Sequence, residues 1–167
     1  MGMGVFFLRR AIMCSLLAAV ALVGALAPLP ASAQGGPAAW RVECTGDGKT
    51  LECRAIQLIV RDRQLLMQVA VRYAPETKAA SMSILLPLGL NLTEPVQIKV
   101  DNGPPERQPI QTCDASGCLV ILTANDKLLA AMRSGTDLKI TVQDASKKPV
   151  EMSLPLLGFG IAYDKTK

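Results

Sequence analysis

The chain has no histidine in 167 residues, and only 4% of it is aromatic, with a single Trp. Without imidazole there is no Ser–His or Cys–His dyad, no His-ligated metal, no imidazole general base and no switch near neutral pH. Charged residues make up 19% of the chain and balance to a formal +4, too slight for a nucleic-acid track. Acids are missing altogether from the first 33 residues, and beyond that point no uncharged apolar run approaches the length of a membrane-spanning helix.

What is present begins with an address. Arg9 and Arg10 precede an uncharged stretch at residues 11–27, which Pro28 and Pro30 break, and Ala31-Ser32-Ala33 places small residues where signal peptidase reads them. The expected leader is 1–33, cut between Ala33 and Gln34, with a single domain over 34–167. An uncleaved membrane anchor is the alternative. A lipoprotein reading through Cys14 fails because Met13 stands where a small residue is needed, so Cys14 leaves with the leader. Removing 33 of 167 residues leaves 134, and the loss of two Arg lowers the formal charge to about +2. The expected product is an exported domain with no integral span, in the periplasm or outside the cell.

Cys44, Cys53, Cys113 and Cys118 remain, an even count that reads as two disulfides in an oxidising compartment. Three pairings are formally possible. Cys44–Cys53 and Cys113–Cys118 each bracket turn-forming residues, TGDGKTLE and DASG, so spacing and turn chemistry favour the local pairing. Closing those loops contributes about 2.7 and about 2.2 kcal/mol, against about 4.4 for a crossed loop, so energy alone does not choose. Zinc ligands usually come in pairs two to four residues apart, which Cys44 and Cys53 do not match. Asp114 beside Cys113 opposes the thiolate that a redox-active pair needs. No metal and no cofactor are expected.

Between frequent turn signals the hydrophobic period is two. Leu65, Met67, Val69, Val71 and Tyr73 share a face, as do Met82, Ile84 and Leu86, then Val96, Ile98 and Val100. Leu138, Ile140 and Val142 repeat the pattern, followed by Val150, Met152 and Leu154. Five such segments are the signature of half-buried strands. Residues 118–122 (CLVIL) predict a central strand covered on both faces. A phase shift near Ala55-Ile56 predicts a bulge or a crossing between sheets. One short helix is expected, capped by Asn125-Asp126, striped by Leu128, Leu129 and Met132 and stopped by Gly135. The expected fold class is an all-β sandwich of about seven to nine short strands, with a closed barrel as alternative.

Several motifs occur in a set order: Trp40-x3-Cys44, Cys53-x3-Gln57, Leu86-Pro87-Leu88-Gly89-Leu90, Val100-Asp101-Asn102-Gly103, Cys113-x3-Gly117-Cys118 and Leu157-Gly158-Phe159-x2-Ala162-Tyr163-Asp164. Together they resemble the invasion-associated locus B family of exported bacterial proteins across residues 40–164. The chain departs from that pattern at Leu157, where the family carries a polar or basic residue. The resemblance implies an immunoglobulin-like sandwich and a Gram-negative periplasmic or outer-surface location. The family takes its name from erythrocyte invasion by a pathogenic member, a name that supplies no molecular mechanism.

Other residues read as architecture. Trp40 is expected in the core beside a disulfide, and Phe159 as an apolar plug at one end. Asp101 precedes Asn102-Gly103 and reads as a turn former, not as a catalytic partner of Glu106. Asn91-Leu92-Thr93 is a formal glycosylation acceptor, expected to stay unmodified. Lys147-Lys148, Lys165 and Lys167 read as a solvated scatter. The chain is therefore expected to be no enzyme but an interaction module for an envelope or host-surface protein, peripheral outer-membrane association included. The alternative is a chaperone-like carrier of small apolar ligands, with a groove lined by Met67, Met82 or Met152.

Overall fold

In a computed structural model, the described residues are 40–46 and 48–167. The expected leader, Cys14 and the Ala33–Gln34 junction lie outside them. The described chain folds as ten antiparallel strands and two short helices. The strands are β1 (Arg41–Gly46), β2 (Leu51–Arg61), β3 (Gln64–Ala74), β4 (Ala79–Leu86), β5 (Val96–Val100), β6 (Glu106–Gln108), β7 (Thr112–Asp114), β8 (Gly117–Ala124), β9 (Asp137–Gln143) and β10 (Pro149–Pro155). The helices are α1 (Asp126–Ser134), after β8, and α2 (Phe159–Asp164), after β10. One sheet has the order β1-β2-β3-β4-β8-β7 and the other β10-β9-β5-β6, both open. This is a β-sandwich, not a closed barrel.

The alternation explains the layering. Met67, Val69 and Val71 from β3, with Met82, Ile84 and Leu86 from β4, bury one face of the larger sheet. Val96 and Ile98 face them from the smaller sheet, with Leu138, Ile140, Val142 and Leu154. Each large aliphatic side chain so buried contributes roughly 1.5–3 kcal/mol of transfer free energy. Among the members of the expected stripes, Tyr73, Val100 and Met152 are half-buried and two are exposed. Leu65 is exposed beside the β2–β3 turn, and Val150 is exposed near the start of the edge strand β10, whose far end buries Leu154.

Three expectations need correction. The CLVIL strand is covered on one face only: Cys118, Val120 and Leu122 are buried, while Ile121 is 46% exposed. Its neighbour β7 is three residues long, too short to run beside Ile121. Instead the Gln111 side chain stands in for a strand, accepting from the Ile121 N–H at 2.7 Å and donating to its carbonyl at 3.0 Å. The irregularity in β2 falls between Ile59 and Val60, not at Ala55-Ile56. Ala55, Ile56 and Gln57 are consecutively buried, so both faces are covered there, and that mimics a phase shift. Finally, strands number ten, and there is a second helix that the sequence did not announce.

The first helix follows its signals. The Asn125 side chain accepts from the Leu128 N–H at 2.9 Å, Leu128 and Met132 are buried, and the Gly135 N–H closes on the Ala131 carbonyl at 2.7 Å. Asp101 is a turn former, as expected, in the left-handed region with φ 50°. Its carboxylate accepts the N–H groups of Thr136 and Asp137, which ties the end of β5 to the start of β9 and holds the carboxyl below its ordinary range.

Candidate functional site

The two disulfides form with the favoured pairing, and each joins residues directly opposite on neighbouring strands. All four sulfurs are thereby committed to S–S bonds. Cys44–Cys53 clasps the β1–β2 hairpin at one end of the larger sheet; Cys113–Cys118 clasps β7–β8 at the other. The end carrying Cys44–Cys53 is the one that also receives both helices.

Aromatic packing builds that end. The Trp40 indole N–H donates to the Pro155 carbonyl at 3.0 Å, linking the chain entering β1 to the last residue of β10. Its ring meets Phe159 edge-on at 4.9 Å, and Phe159 stacks on Tyr163 at 5.7 Å. Phe159 is fully buried, as the plug reading requires, but it works as the first residue of a helix entered through Gly158 at φ 84°. The left-handed Gly158 turns the chain so that Phe159, Ala162 and Tyr163 face inward together.

Tyr163 carries this stack into a cleft. A hollow of about 490 Å³ lies between the end of β3, the β3–β4 turn, the β8–α1 junction and α2, with Tyr73, Lys78, Arg133, Tyr163 and Lys167 in its walls. A second hollow of about 560 Å³ shares Tyr73 and Lys167 with the first and runs to Glu52, Cys53, Arg72 and Lys165. Both tyrosines of the chain are here. The Arg133 guanidinium lies 5.4 Å from the Tyr163 ring centre, and the Lys167 ammonium 5.2 Å from the same ring and 6.0 Å from Tyr73. Such contacts are worth about 0.5–1 kcal/mol each at exposed sites.

Asp164 holds both cations in place. Arg133 donates to its carboxylate through both terminal nitrogens, one bond measuring 3.0 Å, and the Lys167 ammonium lies 3.5 Å away. The Arg133 hydrogen bond is the main reason that the Asp164 carboxyl is pulled down to about 2. Burial pushes the Tyr163 phenol above its ordinary value. At neutral pH the walls therefore carry fixed cations beside an un-ionised Tyr163.

The sequence did not anticipate this arrangement. Lys165 and Lys167, read as solvated scatter, line the cleft, whereas Lys147 and Lys148 lie outside it. Asp101 and Glu106 do not converge: Asp101 caps backbone, while Glu106 accepts from Asn125 at 3.4 Å. Asn91 donates to Gln143 and accepts from Thr93, a local structural use of that motif. Met67 and Met82 are fully buried and line no groove. Among the described residues, no cluster of three or more acidic or Cys side chains is arranged to hold a metal ion.

Residues 40–167 match the family model described as Invasion associated locus B (IalB) protein. The chain belongs to this family. Two curated relatives, Invasion protein B homologs of Brucella abortus strains 2308 and 9-941, are each 30% identical over 129 residues, covering 75% of this chain and 74% of the relative. The crystal structure of invasion associated protein b from Bartonella henselae superposes with a TM-score of 0.71 at 24% identity, covering 78% of this chain and 92% of that one. That likeness supports the fold; the locus B motifs read in the sequence fall inside the matched span.

Proposed function

We propose that this locus B family member is an exported, non-enzymatic binding protein of the cell envelope or surface, and that it engages its partner through the cleft at its helical end. The observation that carries this reading is the cleft itself, where hairpin turns, both helices and the terminal lysines converge on ordered cations. Its walls offer donors and aromatic edges, with no nucleophile beside a general base among the described residues. The family's invasion-associated name and the relatives in Brucella and Bartonella favour a role at the cell surface. The leader-like first 33 residues favour export. Among the described residues, no helix is long and apolar enough to cross a membrane, which suits a peripheral association. The apolar-carrier alternative is weakened, since Met67 and Met82 are fully buried and only Met152, packed partly against the core, remains half-exposed.

Site-specific photocrosslinking in intact cells tests the reading. A photoreactive residue replacing Lys78, at the cleft rim, is expected to capture a defined envelope or surface component. One replacing Lys139, on the outer side of the smaller sheet, is expected to capture none. Equal capture from both positions, or none from Lys78, contradicts the proposal.

A further inference from the structure

We infer that the cleft takes an acidic saccharide: a sugar ring bearing a carboxylate or a phosphate, met by the cations fixed on the tyrosines, with Lys78 of the first hollow and Lys165 of the second flanking them. This deepens the functional reading and rests on it.

The charge pattern gives the first argument. Arg72, Lys78, Arg133, Lys165 and Lys167 line the two neighbouring hollows, which share Tyr73 and Lys167, against Glu52, Glu76 and Asp126. Arg72 is matched by Glu52 at 3.5 Å, and Arg133 and Lys167 share Asp164. Lys78 and Lys165 have no acid within ion-pair distance among the described residues. A guanidinium has five N–H donors and an ammonium three, so Arg133 and Lys167 keep donors that Asp164 does not use. Because Asp164 and the two rings fix those cations beforehand, a ligand loses less side-chain freedom in reaching them.

The composition of the wall adds a second argument. Lys78, in the β3–β4 turn, takes the left-handed region at φ 53°, as Arg63 and Lys147 do outside the cleft. A lysine held there places a long cationic side chain at the rim of the first hollow. The rest of the wall selects the ligand's body. Tyr73 and Thr123 supply hydroxyl groups, while Ala79, Ala130 and Leu129 supply apolar surface. That mixture suits a ring with hydroxyls at its edge and C–H groups on its face. About 490 Å³ lies within the range of small-ligand sites, roughly 300–1,000 Å³. An acidic peptide would satisfy the charges as well; the mixed hydroxyl and apolar wall favours the sugar, and the titration below separates the two.

Calorimetric titration of residues 34–167 with D-glucuronate, D-glucose 6-phosphate, D-glucose and a tetraglutamate peptide tests this. One or both acidic sugars are expected to bind, with D-glucose at least tenfold weaker; which of them binds tells a carboxylate site from a phosphate site. The double variant Lys78→Ala/Lys165→Ala is expected to weaken binding at least tenfold with unchanged thermal midpoint, and Lys78→Arg to retain it. Lys139→Ala is expected to bind as the parent does. Equal binding of D-glucose, preference for the peptide, or no sugar binding overturns the inference. If sugars fail while the residue-78 crosslink persists in cells, the ligand class is wrong and the cleft remains the binding surface. If both fail, the functional reading falls too.

Discussion

At one end of the larger sheet, Cys44–Cys53 clasps an edge hairpin whose Cys44 is exposed, and Cys53 lines an open cleft. At the other end, Cys113–Cys118 clasps a tight turn against Leu86, and Cys118 is buried among core residues. In both the Cα atoms stand 4.0 Å apart on paired strands. The same covalent device thus serves two ends: one turned inward and closed by packing, the other open and lined with cations. The difference comes from what surrounds each bond. Gly117, at φ 137°, sits so close to the Leu86 carbonyl that a Cβ there would collide with it. Gly158, which admits the chain to α2, has open space where its Cβ would be. The closed end is tight at its turn; the open end is tight only beneath its surface, where Trp40, Phe159 and Tyr163 stack.

Phe159→Ala should produce the largest effect, because it empties the foundation of the open end. A fully buried Phe cut to Ala costs about 3–5 kcal/mol, readable as a shifted denaturant midpoint. A loss under about 1 kcal/mol would mean that α2 is not built into the core. Next comes Cys113→Ala/Cys118→Ala, expected to cost about 3–4 kcal/mol, combining the loop constraint with lost core packing. Cys44→Ala/Cys53→Ala is expected to cost only about 2–3 kcal/mol, although its loop is longer. Loop length alone predicts the opposite order, so the ranking of the two double variants decides between burial and chain entropy. Under mild reductant, timed alkylation with peptide mass spectrometry should find Cys44 and Cys53 modified first, since thiol exchange needs access. Simultaneous labelling of all four would erase the contrast between the ends.

The smallest effect is electrostatic. Asp164 titrates near 2 when folded, below the ordinary carboxylate value of 3.8. Its pairing therefore stabilises the fold above the unfolded value and is lost as pH falls through the folded one. Asp164→Asn is expected to flatten the decline in stability between about pH 4 and pH 2. An unchanged slope would mean that Arg133 and Asp164 do not hold each other in solution.

The sandwich was legible because a half-buried strand writes its burial into every second residue. In β4 the buried Met82, Ile84 and Leu86 alternate with the half-buried Ser81, Ser83 and Leu85. The disulfide pairing was legible because each bond closes over its own turn residues. Ile121 misled because an apolar side chain on an open face reads the same as one under a second layer. Helix α2 spans six residues, too few for a helical period to stand out, although Phe159, Ala162 and Tyr163 are spaced for one face. The cleft could not be read at all. Tyr73, Lys78, Arg133 and Lys167 lie on four separate segments, and only the strand order of the larger sheet and the return of α2 bring them together.

The most direct test of an open, ligand-taking end is nitrogen-15 NMR mapping of residues 34–167 during titration with the acidic sugar that binds. Shift changes are predicted at Tyr73, Lys78, Arg133, Tyr163 and Lys167, with residues 114–117 at the closed end unmoved. Changes centred on residues 114–117, or spread along the outer faces of the sheets, would contradict the account.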